Sequence, residues 1–293
     1  MKRFLLASVA ALGLAGTASA ADLAVKAPPL APVFTWTGCY LGVNGGWIGG
    51  NNKYDVTRPF ALTNAVPDID ATAADLALWN HSLSSNDSGG TAGGQAGCQY
   101  QWGWFVLGAE WDAAWTSLTD SQTLNVPATN FISNPALSWP AHQDQIQGQL
   151  NWFSTARVRL GATWWDRVLV YGTAGLAIGD VESFTNAQAV LPGGGLNPAG
   201  PAFFGSYRLQ RIGWTAGGGF EWAMTNNWIA KAEFLYLNFG SFDYTSTVQP
   251  TFTVGVDQRV LNTHVSASDY IVRVGLNYLF HFGPDAFPVV ARY

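Results

Sequence analysis

Trp36 to Trp47 reads WTGCYLGVNGGW, and the choice between helix and strand here decides the fold. As a helix it fails. Gly38, Gly42, Gly45 and Gly46 would each cost about 1 kcal/mol in a helix interior. As a strand it alternates, with Cys39, Leu41 and Val43 on one face and Tyr40, Gly42 and Asn44 on the other. The same period of two recurs along the chain. In Gly94 to Trp102, Ala96, Cys98, Tyr100 and Trp102 oppose Gln95, Gly97, Gln99 and Gln101. Trp104 to Trp115 sets Phe105, Leu107, Ala109, Trp111 and Ala113 against Gly108, Glu110 and Asp112.

Five more segments continue the pattern: Trp152 to Trp164, Val168 to Val181, Gln210 to Met224, Trp228 to Phe239 and Tyr270 to Phe280. In Val168 to Val181 small residues leave the facing ambiguous. That makes eight strands near the roughly 9 to 11 residues a tilted transmembrane strand needs. Connections alternate in length. Short ones follow the second, fourth and sixth strands, at Trp102-Gly103, 165–167 and 225–227. Long ones, rich in Gly, Pro and Asn, cover 51–88, 117–147, 183–209 and 243–265. Short periplasmic turns and long extracellular loops are the habit of outer-membrane barrels. The expected fold is therefore all-β: an eight-stranded antiparallel transmembrane barrel over 36–282, closed by pairing its first strand with its last.

Composition agrees with that reading. Only 11% of the 293 residues are charged, against roughly 25% in an ordinary soluble domain. Aromatics reach 14%, with 14 Trp, and there are 33 Gly. A soluble surface would lack its usual charges, and no stretch beyond the N-terminus approaches the length of apolar chain a spanning helix requires. A soluble β-sandwich would need a water-facing outer sheet face, yet the only polar face is the one between the apolar residues. The net charge of −5 and the absence of a basic patch argue against nucleic acid as a partner.

The N-terminus reads as a cleaved signal peptide over 1–20. Lys2 and Arg3 are its basic start, Phe4 to Gly16 its apolar run and Ala18-Ser19-Ala20 its cleavage site, with the cut between Ala20 and Ala21. A Pro-rich periplasmic linker over 21–35 follows.

With apolar residues turned to lipid, the strand charges point into the lumen. The inward set is Glu110, Asp112, Arg157, Arg159, Arg211, Glu221, Lys231, Glu233 and Arg273. The expected pairs across neighbouring strands are Glu110 and Asp112 with Arg157 and Arg159, Glu221 with Lys231, and Glu233 with Arg273. Eight strands leave an interior that side chains can fill, which favours a plugged lumen over a charged channel. Trp102, Trp104, Trp164, Trp165 and Trp228 lie beside the short turns and read as an interfacial girdle rather than a ligand platform.

Chemistry is sparse. His81, His142 and His264 fall in loops, and His81 with Ser82 or His264 with Ser266 is the nearest approach to a nucleophile and base. No nucleophile motif accompanies them, the Gly clusters lack the Lys-Ser/Thr of a phosphate loop, and HExxH spacing is absent. His81 and Asp87 share a loop and could hold an ion, though a solvated loop is the plainer reading. No catalytic residue, cofactor or metal site is expected. Cys39 and Cys98 fall at similar heights on neighbouring strands; they are either a disulfide formed in an oxidising periplasm or two unpaired small apolar residues.

Taken together, TWTGCYLGVNGGW at 35–47, GGQAGCQYQWGWFVLGAEWD at 93–112, WFSTARVRLGATWWDRVLVYGTAGLAIG at 152–179, GWTAGGGFEWAMTNNWIAKAEFLYLNFG at 213–240 and VRVGLNYLF at 272–280 resemble a known family. It is the small outer-membrane β-barrel proteins of rhizobia and their alphaproteobacterial relatives, often called outer immunogenic or porin-family proteins. The resemblance implies an OmpA-like barrel in the outer membrane with a structural, envelope-supporting role. Partners would be outer-membrane lipid and lipopolysaccharide and the barrel-assembly machinery. It implies no enzyme activity and no cofactor. The alternatives are a porin for small hydrophilic solutes and a loop-mediated surface adhesin. Two departures stand out. Positions 39 and 98 resemble sites where the family carries aromatics, and a joint change to Cys favours the bond. The family's chains also end on the last strand's aromatic residue, whereas here a tail over 283–293 follows Phe280 and Phe282.

Overall fold

A computed structural model describes residues 34–57, 80–130, 138–139, 141–191, 195–196, 202–248 and 260–281. The signal peptide, the linker up to residue 33 and the tail 283–293 lie outside the described residues. In chain order the strands are β1 (Gly38–Gly50), β2 (Asn52–Thr57), β3 (His81–Ser85), β4 (Ser88–Trp102), β5 (Phe105–Val126), β6 (Thr129–Asn130), β7 (Ser138–Trp139), β8 (His142–Trp164), β9 (Val168–Ala189), β10 (Ala202–Ala223), β11 (Trp228–Val248) and β12 (Val260–Phe280). Every pairing is antiparallel. The sheet runs β1-β4-β5-β8-β9-β10-β11-β12, and β12 pairs back onto β1 from Cys39↔Phe280 to Gly50↔Asp269. Ring closure leaves no unpaired backbone edge in this zone, as lipid requires. β2 and β3 continue β1 and β4 outward as a hairpin on β12.

Facing follows the alternation. Leu41, Val43, Leu107, Trp111, Val158, Leu160, Val272 and Val274 are exposed on the outer wall, while Tyr40, Asn44, Glu110, Asp112, Arg157 and Arg159 are buried inside. β9, ambiguous in sequence, turns Leu169, Tyr171 and Thr173 inward and Val170 and Leu176 outward. Trp102, Trp104, Trp164, Trp165 and Trp228 crowd the short-turn end on the outer surface, and Gly103 (φ +61°) supplies the left-handed residue of the first short turn. A second outer band contains Trp115 and the ring pairs Trp47–Tyr270 and Trp214–Tyr236. The two bands bracket the membrane-spanning part, which runs from Phe105 to Trp115 on β5 and from Tyr270 to Phe280 on β12.

The long connections need correction. Much of 117–147, 183–209 and 243–265 continues as strand beyond the outer aromatic band, as do 52–57 and 81–85 of the first connection. Above the bilayer the outer wall meets water, so the hydropathy contrast reverses: polar outside, mixed or apolar inside. On β8, Gln143, Gln145, Gln147 and Gln149 point away from His142, Asp144, Ile146 and Leu150, which are buried. A register irregularity between Leu150 and Phe153 then moves the inward set from even to odd positions. Gly240 (φ +74°) marks the matching irregularity on β11, after which Phe242, Tyr244 and Ser246 face in.

Candidate functional site

The lumen is stacked in layers. Nearest the short turns, Trp36, Tyr40, Val106, Leu169, Tyr171, Ile229 and Leu279 form an apolar cluster against which Phe34 packs. Trp36 is held there by its backbone N–H, which donates to Gln101 Oε1 (2.9 Å), and by its indole N–H, which donates to the Asp166 carbonyl (3.3 Å).

Above it lies the charged layer, centred on Glu110. Its carboxylate accepts from Lys231 Nζ (2.7 and 2.8 Å), from Arg159 (3.2 Å), from Arg157 and from the Tyr40 hydroxyl (2.5 Å). Arg157 also donates to Asp112 (2.7 Å) and Glu233 (2.8 Å), and Arg273 to Asp112 (2.5 Å) and Glu233 (2.7 Å). The Tyr171 hydroxyl donates to Glu233 (2.9 Å), and the Arg159 guanidinium lies over the Tyr171 ring at 4.0 Å. Burial without partners would be prohibitive for such charges, and here every one has an opposite within ion-pair distance. Inward glycines make the room. A Cβ at Gly97 would sit 2.4 Å from the Tyr40 hydroxyl, which passes over it to reach Glu110.

Two expected assignments change. Arg211 is not in this layer. Its guanidinium is near the outer end, donating to the Ser241 carbonyl (2.7 Å) and lying over the Phe242 ring. The reason is height: Arg211 is Cα partner to Gly179, ten residues along β10 from Glu221. Glu221 is the Cα partner of Lys231, as the alignment of β10 and β11 predicts, but its cation is Arg159 at 2.7 Å. Inside a narrow barrel a long side chain reaches across the lumen as easily as to its neighbour, and Lys231 is drawn to Glu110 instead. Without Arg211 the layer holds Glu110, Asp112, Glu221 and Glu233 against Arg157, Arg159, Lys231 and Arg273, and is neutral.

The outer chamber, which begins at the height of the outer aromatic band and continues above it, is largely apolar, with Ile48, Leu118, Ile146, Phe153, Leu237, Phe239 and Ile271 among its buried residues. A small cavity of about 20 Å³ there is lined in part by Asn52, Tyr54 and Asp269. Tyr54 donates to Asp120 Oδ2 at 2.8 Å. Asp269 Oδ1 is buried with no hydrogen-bond partner. Burial, and secondly the Asp120 charge, push the Asp269 carboxyl up to about 7. A carboxyl held higher in the folded than in the unfolded chain stabilises at acid pH, and that contribution is lost as pH rises from about 4 through about 7. Unfolding free energy should therefore decline across that window in urea titrations, and Asp269→Asn should flatten the decline. An unchanged slope in the variant would exclude Asp269 as its source.

At the outer mouth His81 Nε2 lies 2.7 Å from Asp144 Oδ2, and His142 Nε2 lies 3.8 Å from the same oxygen. His264 meets Asp243 at 2.7 Å on the outer wall, and Ser82 donates to Asp55. Among the described residues no group of three or more His, Cys, Asp or Glu is arranged to hold a metal ion. Cys39 and Cys98 stand opposite each other as Cα partners on β1 and β4, with their sulfurs joined.

A model of the outer membrane protein beta-barrel domain matches residues 7–278. The chain is 35% identical over 286 residues to a 31 kDa outer-membrane immunogenic protein of Brucella melitensis, covering 96% of this chain and all of the relative. It is 26% identical over 250 residues to a 25 kDa outer-membrane immunogenic protein of Brucella abortus, covering 83% and 87% of the two chains. Among solved structures, the outer membrane protein OprG from Pseudomonas aeruginosa superposes with a TM-score of 0.40 at 13% identity, covering 84% of this chain and 97% of that one.

Proposed function

The chain belongs to the outer membrane protein β-barrel family and resides in the outer membrane, and from that premise we propose that it is a structural barrel with a closed lumen. Its role is to support the envelope and to carry surface-exposed loops, as the immunogenic naming of its relatives suits. The observation that carries this reading is the layering of the lumen. A neutral set of four acids and four bases is buried between two apolar clusters. A conduction path needs mobile, hydrated charges, whereas these are fixed to one another in an interior that eight strands make only wide enough for side chains. The same reading assigns no catalysis: His81 and His264 each face an aspartate, Asp144 and Asp243, at 2.7 Å.

Planar-bilayer recording tests it. The refolded protein should insert without discrete conductance steps at any voltage. Uniform, reproducible openings would replace the closed barrel with a small-solute pore.

A further inference from the structure

β10 and β11 separate just outside the outer aromatic band. They pair from Ala223↔Ile229 up to Trp214↔Asn238, and again at Phe204↔Thr247 and Phe203↔Val248. Between those stretches Gly205 to Gly213 on β10 and Phe239 to Ser246 on β11 have no Cα partners across the gap. Each strand stays laddered on its far side, β10 to β9 throughout and β11 to β12 from Gly240↔Ala267 to Thr247↔Val260. A β-bulge adds a residue to one strand and disturbs the ladder locally. The irregularities between β5 and β8 and between β8 and β9 are of that size, and this gap is several times longer. The strands touch at both its ends. A Cβ at Gly205 would lie 2.8 Å from Ser246 Cα, and one at Gly213 would lie 2.9 Å from Phe239 Cα. The opening is therefore an eyelet, closed above and below.

Side chains stop it. The Tyr207 ring stacks on Phe242, with centroids 4.3 Å apart. The Arg211 guanidinium lies 5.4 Å from the centre of the same ring while donating to the Ser241 carbonyl (2.7 Å). The Gly240 N–H goes to Asn238 Oδ1 (2.9 Å). These backbone groups of β11 are satisfied by side chains rather than by β10, and side chains can swing apart without unzipping the barrel. Both faces of the eyelet are apolar. Leu209 and Ile212 beside it are 54% and 70% exposed, beyond the band where the wall meets water. Inside, Phe239 and Phe242 line the small cavity of the outer chamber. On β12 the inward Ala267 lies between Val265, the partner of Phe242, and Asp269. That end of the cavity is short of donors. Asp269, 3% exposed, has Oδ1 unpartnered, as Asn52 has its Oδ1, and the Tyr54 hydroxyl is committed to Asp120.

We propose that the eyelet is a side entrance through which a small neutral aromatic bearing one hydroxyl, a phenol in chemical class, enters the outer chamber. Its ring lies over Ala267 against Phe239 and Phe242, and its hydroxyl donates to Asp269. The aromatic walls select the ring, and the unpaired acceptors select the donor. At rest the cavity, about 20 Å³, has room for one water. Admission requires Phe242 to swing toward the gap once Tyr207 and Arg211 release it, and the space it leaves is that of a benzene ring. The charged layer lies beneath the chamber, so this is a pocket and not a path across the membrane. The site goes beyond the closed-barrel reading and stands whether or not the lumen conducts.

Ligand-observed fluorine NMR of the full chain refolded in detergent tests it with para-fluorophenol. Fluorobenzene serves as the ring without a donor, and protein-free micelles as the blank. The phenol should broaden saturably and bind about tenfold more tightly than fluorobenzene, the worth of one hydrogen bond to a buried acceptor. Asp269→Ala should remove that preference. Tyr207→Ala and Arg211→Ala should leave affinity near that of the parent but speed exchange several-fold, because those side chains hold the door and not the ligand. Heat-modifiable migration checks the folding of each variant. Broadening no greater than the micelle blank, or equal affinity for the two probes, would overturn the site. Exchange unchanged in both gate variants would overturn the side entrance.

Discussion

Replacing Glu110 with alanine should lower the unfolding free energy of the barrel by about 3 to 5 kcal/mol, the usual cost of removing one partner from a buried ion pair. Glu110 is the hub of the charged layer. Lys231 donates to both its oxygens, Arg159 and Arg157 each to one, and Tyr40 completes its shell. Without it Lys231 keeps only Glu233, at 3.3 Å, and Arg159 keeps Glu221. The remaining layer carries one surplus positive charge in an interior that offers little solvent to screen it. Glu110→Gln isolates the charge from the packing. It keeps an acceptor for Tyr40 and a similar volume, so a loss nearly as large as in alanine would assign the cost to electrostatics. Urea unfolding in lipid, followed by tryptophan fluorescence and heat-modifiable migration, reads both. A loss below about 1 kcal/mol in both variants would show that water enters the layer and that its charges are solvated.

The same layer marks how far the residues themselves lead. Inward charges in the bilayer could be read from strand parity alone, because lipid enforces an apolar outer face and leaves the charges nowhere else to go. Eight of the nine inward positions accordingly meet in one layer. Arg211 does not, because parity fixes which way a side chain points but not how high it stands along the barrel. Partner choice was also beyond neighbour-strand reasoning: Glu221 finds Arg159 across two strand spacings rather than its register mate Lys231.

The apolar layers were hidden for another reason. Leu235, Ile271 and Leu279 alternate with outward aromatic or apolar residues (Phe234 and Tyr236, Tyr270 and Val272, Tyr278 and Phe280), so hydropathy gives little contrast between the faces. Above the bilayer the contrast inverts, and a search for apolar-out strands sees only polar loop. A period-two signal was nevertheless present in Gln143, Gln145, Gln147 and Gln149. The end of the β4–β5 ladder at Thr91↔Thr116 had no local signal at all. It arises because β5 outgrows its ladder with β4, and pairing extent is a property of the sheet rather than of either strand.

Reduction of the Cys39–Cys98 bond should cost the barrel up to about 4 kcal/mol, the chain-entropy value for a closed loop of roughly 60 residues. The sequence separation is 59, and the loop it closes contains the whole first hairpin and its outer connection. Most of this stabilisation resides in the unfolded chain, whose freedom the crosslink restricts, so the native barrel should keep its strand content and its heat-modifiable migration after reduction. The two residues are Cα partners near the short-turn end, where β1 is also laddered to β12 through Cys39↔Phe280. The bond thus ties the closing strand pair to the β4–β5 hairpin at the short-turn end of the barrel. A Cys39→Ala, Cys98→Ala double variant should match the reduced parent in its urea midpoint, and adding reductant to it should change nothing. The kinetic partition adds a sharper criterion. Since β1 must find both β4 and β12, a crosslink that pre-pairs β1 with β4 shortens the search, so reduction should slow refolding into vesicles as well as speed unfolding. A reduced parent that refolds at the oxidised rate while unfolding faster would place the formation of the β1–β4 pair after the rate-limiting step. Equal midpoints for oxidised and reduced protein would remove the bond from the stability of the barrel altogether.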